Sequence, residues 1–135
     1  MRWAMVLALL LAACCALASC GKKAPAPSSS PSSGVAAQAE QFVDLMAKGD
    51  FQGAVKSFDT TMTQAVTPDK LAEAWNGLIG QCGAFQQRVA SRTTKEQGYD
   101  CAYVTCQFAN KAMDVKVVFN PQQQISGMWF VEAKQ

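Results

Sequence analysis

Ala102-Tyr103-Val104-Thr105-Cys106-Gln107-Phe108-Ala109-Asn110-Lys111-Ala112-Met113-Asp114-Val115-Lys116-Val117-Val118-Phe119 alternates with a period of two on both sides of Asn110-Lys111. Successive side chains of a strand point to opposite faces, so this is the pattern of two strands joined by a tight turn. On the first, Tyr99–Ala109, one face carries Ala102, Val104, Cys106 and Phe108, and the other Cys101, Tyr103, Thr105 and Gln107. On the second, Ala112–Phe119, Met113, Val115, Val117 and Phe119 oppose Asp114 and Lys116, and this charged side reads as solvated surface.

Working outward, Asn120-Pro121-Gln122-Gln123 is a turn and Gln124–Glu132 a further strand holding Ile125, Met128, Trp129, Phe130 and Val131. Gly127 inside it predicts a bulge or a close approach. Upstream, Phe85–Thr93 alternates as a first strand with Phe85, Gln87 and Val89 on one side, and Thr94–Gly98 is a polar turn. Four strands with short links make an antiparallel meander.

The period changes to helical before Gly83. Thr67-Pro68-Asp69-Lys70 is a helix start: Thr as cap, Pro in the first turn and an acid near the positive end. Leu71, Ala74, Trp75 and Leu78 follow at one face. Val35–Lys48 reads as a helix with Val35, Ala39, Phe42 and Met46 on its stripe, stopped by Gly49, and Asp50 caps a second helix, Phe51–Phe58. Asp59–Val66 reads as irregular. Helices grouped before strands predict an α+β domain, three N-terminal helices packed on one face of a curved four-stranded antiparallel sheet.

The first 34 residues read differently. Arg2, the apolar run Trp3–Ala13 and the small residues before Cys20 have the layout of an export signal, too short to span a bilayer. Leu17-Ala18-Ser19-Cys20 resembles the lipobox of bacterial lipoproteins. The resemblance implies cleavage after Ser19 and a lipid on the Cys20 thiol, hence a membrane partner. Two or three acyl chains would hold stably where one does not. Gly21, where an Asp would resemble an inner-membrane retention signal, implies a cell-envelope location, at the outer membrane facing the periplasm if the host is Gram-negative. Residues 20–34, rich in Pro and Ser, read as a tether, leaving 35–135 as a single domain.

Composition excludes more than it identifies. The 135 residues carry 12 Lys and Arg against 10 Asp and Glu, with no basic stripe for nucleic acid. There is no His, so the commonest general base and metal ligand are missing, and no cofactor or metal site is expected. Outside the leader the cysteines are Cys82, Cys101 and Cys106. Cys101 and Cys106 lie on opposite faces of one strand, roughly 16 Å apart by strand rise, against about 7 Å for a disulfide. Cys82 is then the shared partner of any bridge. Cys82–Cys106 is the expected pair, with three buried free thiols as the alternative.

Phe42-Val43 through Gly49-Asp50-Phe51, Leu71 with Trp75 and Gly83-Ala84-Phe85, Val104–Phe108, and Val117–Asn120 leading to Ile125-Ser126-Gly127 together resemble a bacterial domain family of unknown function among the nuclear-transport-factor-like cone folds. The resemblance spans about Ala36 to Val131. Such domains occur alone behind export signals or ahead of α/β-hydrolase domains, and with Gln135 last in the sequence no hydrolase is expected. The resemblance carries over no catalytic residues. It implies a cone whose candidate lining is Trp75, Phe108, Phe119 and Trp129, holding a small apolar ligand or offering a sheet face to a second copy or an envelope protein; a plain packed core is the favoured reading of those four residues. A non-catalytic binding module is the expected function. The alternative is a small isomerase-like enzyme using a carboxylate and a phenol from Asp100, Asp114, Tyr99 and Tyr103.

Overall fold

A computed structural model describes residues 31–134. The signal residues 1–19, Cys20 and the tether up to residue 30 lie outside the described residues. Four α-helices precede four strands: α1 (Pro31–Ala47), α2 (Phe51–Ala54) running into a 3-10 turn (Val55–Ser57), α3 (Thr60–Ala65), α4 (Pro68–Cys82), then β1 (Phe85–Glu96), β2 (Tyr99–Phe108), β3 (Ala112–Phe119) and β4 (Ile125–Glu132). The sheet is an antiparallel meander in the order β1-β2-β3-β4. This is the expected α+β arrangement, with helices against a curved four-stranded sheet. Among the described residues no helix is long and apolar enough to cross a membrane.

Local chemistry sets the helix ends. Thr67 caps α4, its hydroxyl accepting the Lys70 N–H, and Pro68 supplies the first turn. Asp50 caps α2 through the Gly53 N–H. The stretch expected to be irregular is instead the short helix α3, started by Asp59, whose carboxylate accepts the Met62 N–H at 2.7 Å. It buries Met62. Helix α1 begins at Pro31, inside the segment read as tether.

Between helices and sheet lies one continuous core. It takes Val35, Ala39, Phe42, Val43 and Met46 from α1, and Leu71, Trp75, Leu78 and Cys82 from α4. From the strands come Ala102, Val104, Cys106, Phe108, Met113, Val115, Val117, Phe119 and Ile125. Those are the inner faces of β2 and β3 that alternation assigned. Trp75 packs against Phe85 and Phe108, each at 5.7 Å between ring centroids, and Phe130 at 6.1 Å. At the other end Phe42 meets Phe58 at 5.8 Å. Arg88 of β1 ties α1 to the sheet through Glu40 at 2.8 Å and Asp44 at 2.7 Å.

Strand β1 departs from simple alternation. Its register against β2 shifts twice, between Phe85 and Gln87 and between Arg88 and Ala90. Each bulge places an extra residue against the partner strand. Val89 falls in the second and is 50% exposed rather than packed with Phe85. The strand also runs on to Glu96, so the turn shrinks to Gln97-Gly98, both at positive φ (52° and 85°), the geometry of a two-residue hairpin.

The expected Cys82–Cys106 bond is not formed here: Cys82, Cys101 and Cys106 are free and buried. Position accounts for this. The Cys82 carbonyl accepts the Asn110 N–H at 2.8 Å, seating the end of α4 on the β2–β3 turn. Cys106 lies four residues back along the hairpin, roughly 13 Å by strand rise, against about 7 Å for a disulfide.

Candidate functional site

The four aromatic residues named as candidate pocket lining do not share a face, and three of them form a plain packed core, the favoured reading of them. Trp75, Phe108 and Phe119 are buried in the core, while Trp129 is 54% exposed on the opposite side of the sheet. Register explains the difference. Trp129 pairs with Lys116, and Lys116 alternates outward from Val115 and Val117. On the same outer face Trp129 lies over Gly127. A Cβ at Gly127 would come within 2.5 Å of the indole ring, so the missing side chain is what lets the ring settle there.

The outer face is therefore charged and aromatic at once. Tyr103 stands between Arg92 on β1 and Lys116 on β3 in the register. Its hydroxyl donates to Glu96 Oε1 at 2.5 Å, and Lys116 Nζ donates to Glu96 Oε2 at 2.6 Å. Both oxygens of one carboxylate are thus engaged by charge-assisted or short hydrogen bonds. The Lys116 ammonium also sits 5.5 Å from the Tyr103 ring centroid and 5.8 Å from that of Trp129, and Arg92 stacks 4.3 Å over Tyr103.

Charge states follow from these contacts. Lys116 first, then Tyr103, hold the Glu96 carboxyl below its ordinary range. The same bond to Glu96 pushes the Tyr103 phenol up, helped by desolvation, and raises Lys116. Burial raises the Cys101 thiol, and that of Cys106 to about 12.

Asp114, expected as solvated surface, is on the predicted face but fully buried. Arg92 Nη2 reaches Asp114 Oδ2 at 2.7 Å and the Thr105 hydroxyl donates to Oδ1 at 2.6 Å. β3 is an inner strand with neighbours on both sides, and Ala90, opposite Thr105, leaves room for Arg92 to reach across. Of the other expected acid–phenol candidates, Asp100 pairs with Lys95 at 3.1 Å, and Tyr99 is 47% exposed at the hairpin. The carboxylate–phenol pair that does form is Glu96–Tyr103. Glu96 falls in the stretch that the sequence pattern assigns to a polar turn; the two-residue Gln97-Gly98 turn instead keeps it in β1.

At one end of this face is an open pocket of about 220 Å³ lined by Glu96, Gln97, Tyr99, Cys101, Lys116, Val118 and Trp129. A second, of about 360 Å³, lies where Ala74, Gly77, Leu78 and Gln81 of α4 meet Met113 and Phe130. Among the described residues no group of three His, Cys, Asp or Glu is placed to hold a metal ion.

Residues 39–128, from the middle of α1 to the middle of β4, match the model of a family described as Protein of unknown function (DUF3887). The chain belongs to this DUF3887 family. Neither curated proteins nor solved structures yield a match to it. The DUF3887 match covers Glu96, Tyr103, Lys116 and Gly127 but stops one residue before Trp129.

Proposed function

We propose that this DUF3887 protein is a lipoprotein held at the cell envelope through Cys20, and that its domain is a non-catalytic binding module working through the outer face of the sheet. The observation that carries the binding half is the placement of Trp129: a large aromatic half exposed on a charged face, while the core aromatics pack on one another. An exposed aromatic set among charged groups marks an interaction site better than a lone surface apolar residue does.

The pair that most resembles an acid–base couple supports the non-catalytic side. A general acid or base works best with a pKa near the operating pH. Glu96 is moved down and Tyr103 up, so both move away from neutrality. Every buried side-chain nitrogen and oxygen among the described residues also has a partner, which leaves no interior polar group waiting for a substrate. A second copy or an envelope protein is the partner this face would suit.

Two measurements test the reading. Globomycin should leave the precursor uncleaved and change its detergent partitioning; unchanged size and partitioning would overturn the anchor. A photo-crosslinking residue in place of Trp129 should give adducts in cells that the same residue in place of Gln64, on α3, does not. Equal yields from both would overturn the binding face.

A further inference from the structure

We propose that the end of the outer face carrying Trp129 and Tyr99 rests on the bilayer, so that the domain is seated on the membrane surface and not merely tied to it. This rests on the lipid proposed for Cys20 and names the bilayer as what meets that end of the binding face. The remainder, around Arg92 and Tyr103, stays open to a protein partner.

The course of α1 decides which end faces the lipid. Ser91 on β1 donates to Glu40, and Arg88, nearer the start of β1, reaches both Glu40 and Asp44. Moving along β1 toward its hairpin therefore moves back along α1 toward its first residue. Pro31 lies nine residues before Glu40, about 14 Å by helix rise, and Glu96 five residues beyond Ser91, about 17 Å by strand rise. The chain thus enters the domain about level with the Gln97-Gly98 hairpin. Ten residues, Gly21 to Ser30, separate that entry from Cys20 and reach at most about 36 Å. A short link gives the groups it joins a millimolar effective concentration, enough for a contact too weak to hold alone.

The same end presents the side chains a bilayer surface takes. The exposed large apolar side chains among the described residues are Val89, Tyr99 and Trp129, and the last two line one open pocket with Gln97. The Trp129 ring lies over Gly127, toward the hairpin end, since Gly127 pairs with Val118 and Val118 with Cys101. Trp and Tyr, each an apolar ring with a polar tip, concentrate at membrane–water interfaces. Charge agrees. On the outer face Arg92 pairs with Asp114 and Lys116 with Glu96. Lys134 acts on the same Glu96 carboxyl and forms no ion pair among the described residues. The excess is positive, is joined by Lys22 and Lys23 beside Cys20, and suits an anionic headgroup layer. A protein partner asks nothing of where the rings lie; their placement at the end where the anchored chain enters favours the bilayer.

The test uses the mature lipoprotein, which keeps Trp75 and Trp129, in vesicles of phosphatidylethanolamine and phosphatidylglycerol with brominated acyl chains. Bromine quenches rings that reach the acyl boundary. Emission should fall relative to unbrominated vesicles, and Trp129→Phe should abolish the loss, since Trp75 is buried in the core. Lys111→Trp in the Trp129→Phe background puts a ring at the opposite, β2–β3 turn and should restore no loss. Both positions are exposed, so neither change reads folding. Equal emission in the two kinds of vesicle, from protein that floats with them, would overturn the proposal and leave the anchor standing; crosslinks from position 129 to protein would then give the rings to a protein partner. A loss that survives Trp129→Phe, or an equal loss from Lys111→Trp, would also overturn it, because contact would not be confined to the hairpin end. Protein that does not float with vesicles has no anchor, and the proposal falls with it.

Discussion

Arg92 closes the solvent side of Asp114. Its Nη2 lies 2.7 Å from Asp114 Oδ2, and Asp114 is the one charged side chain fully enclosed among the described residues. The same guanidinium stacks on Tyr103 at 4.3 Å, so one residue couples the buried carboxylate to the exposed cluster.

Breaking that pair is expected to be costly. Arg92→Met leaves a buried carboxylate with Thr105 as its remaining hydrogen-bond partner, and should lower stability by about 3 kcal/mol. Asp114→Asn keeps an acceptor for Thr105 and should cost about 1–2 kcal/mol. Urea denaturation of the two variants checks the order.

Gly83 ends α4 at φ 86° and ψ −179°, a region that side chains scarcely enter. A Cβ there would also meet Ala109 Cβ at 2.7 Å, an atom fixed to the backbone with little room to yield. Gly83→Ala should cost about 2–4 kcal/mol, from backbone strain and overpacking together. A thermal melt within a degree of the parent would contradict this.

Gly127→Ala is the contrasting case. Its Cβ meets the far edge of the Trp129 ring, which can swing away. Stability should fall by about 1 kcal/mol or less, while Trp129 emission shifts because the ring leaves its seat. A large loss of stability with unchanged emission would show the ring is not held by Gly127.

What the sequence made legible follows the strength of local patterns. The inner faces of β2 and β3, the Thr67 start of α4 and the helices-then-sheet order all rest on strict periods or caps. The bulges of β1 were hidden, since Gln86 and Val89 look like ordinary alternation until β2 sets the register. Asp59 as a cap was missed because the helix it starts is six residues long and has only Met62 to bury. Alternation found the face of Asp114 correctly but not its burial, which depends on Arg92 reaching across from β1. The site itself was illegible for that same reason: Glu96, Tyr103, Lys116 and Trp129 come from four strands, and only the register brings them together.

The Glu96–Lys116–Tyr103 tie should shape stability at both ends of the pH scale. A carboxyl held below its ordinary value of 4.5 contributes above that value, and the contribution is lost as pH falls through its folded pKa. Lys116, raised above 10.5, and Tyr103, raised above 10.0, contribute below those values and lose it as pH rises through their folded pKa values. Glu96→Gln should therefore flatten the acid fall in melting temperature below about pH 4.5 and return the Tyr103 phenol toward its ordinary range in an ultraviolet titration.

Thiol reactivity offers an independent check on the core. Cys82, Cys101 and Cys106 are all buried, and burial also raises the Cys101 thiol and pushes that of Cys106 up to about 12, so access limits all three and thiolate is scarce at the last two. Native protein should leave all three unmodified by iodoacetamide and urea should expose them. Nonreducing mass mapping that finds Cys82 joined to Cys106 would mean that α4 ends nearer the middle of β2.

The central claim is that partners meet the outer face of the sheet and not the space between sheet and helices. Acrylamide quenching of single-tryptophan proteins tests it most directly, using Trp75→Phe and Trp129→Phe each in a Trp3→Phe background. Trp129 alone should be quenched strongly and Trp75 alone scarcely at all. A Trp75 quenched as readily as Trp129 would mean that small molecules enter the cone, and the working face would have to be sought inside.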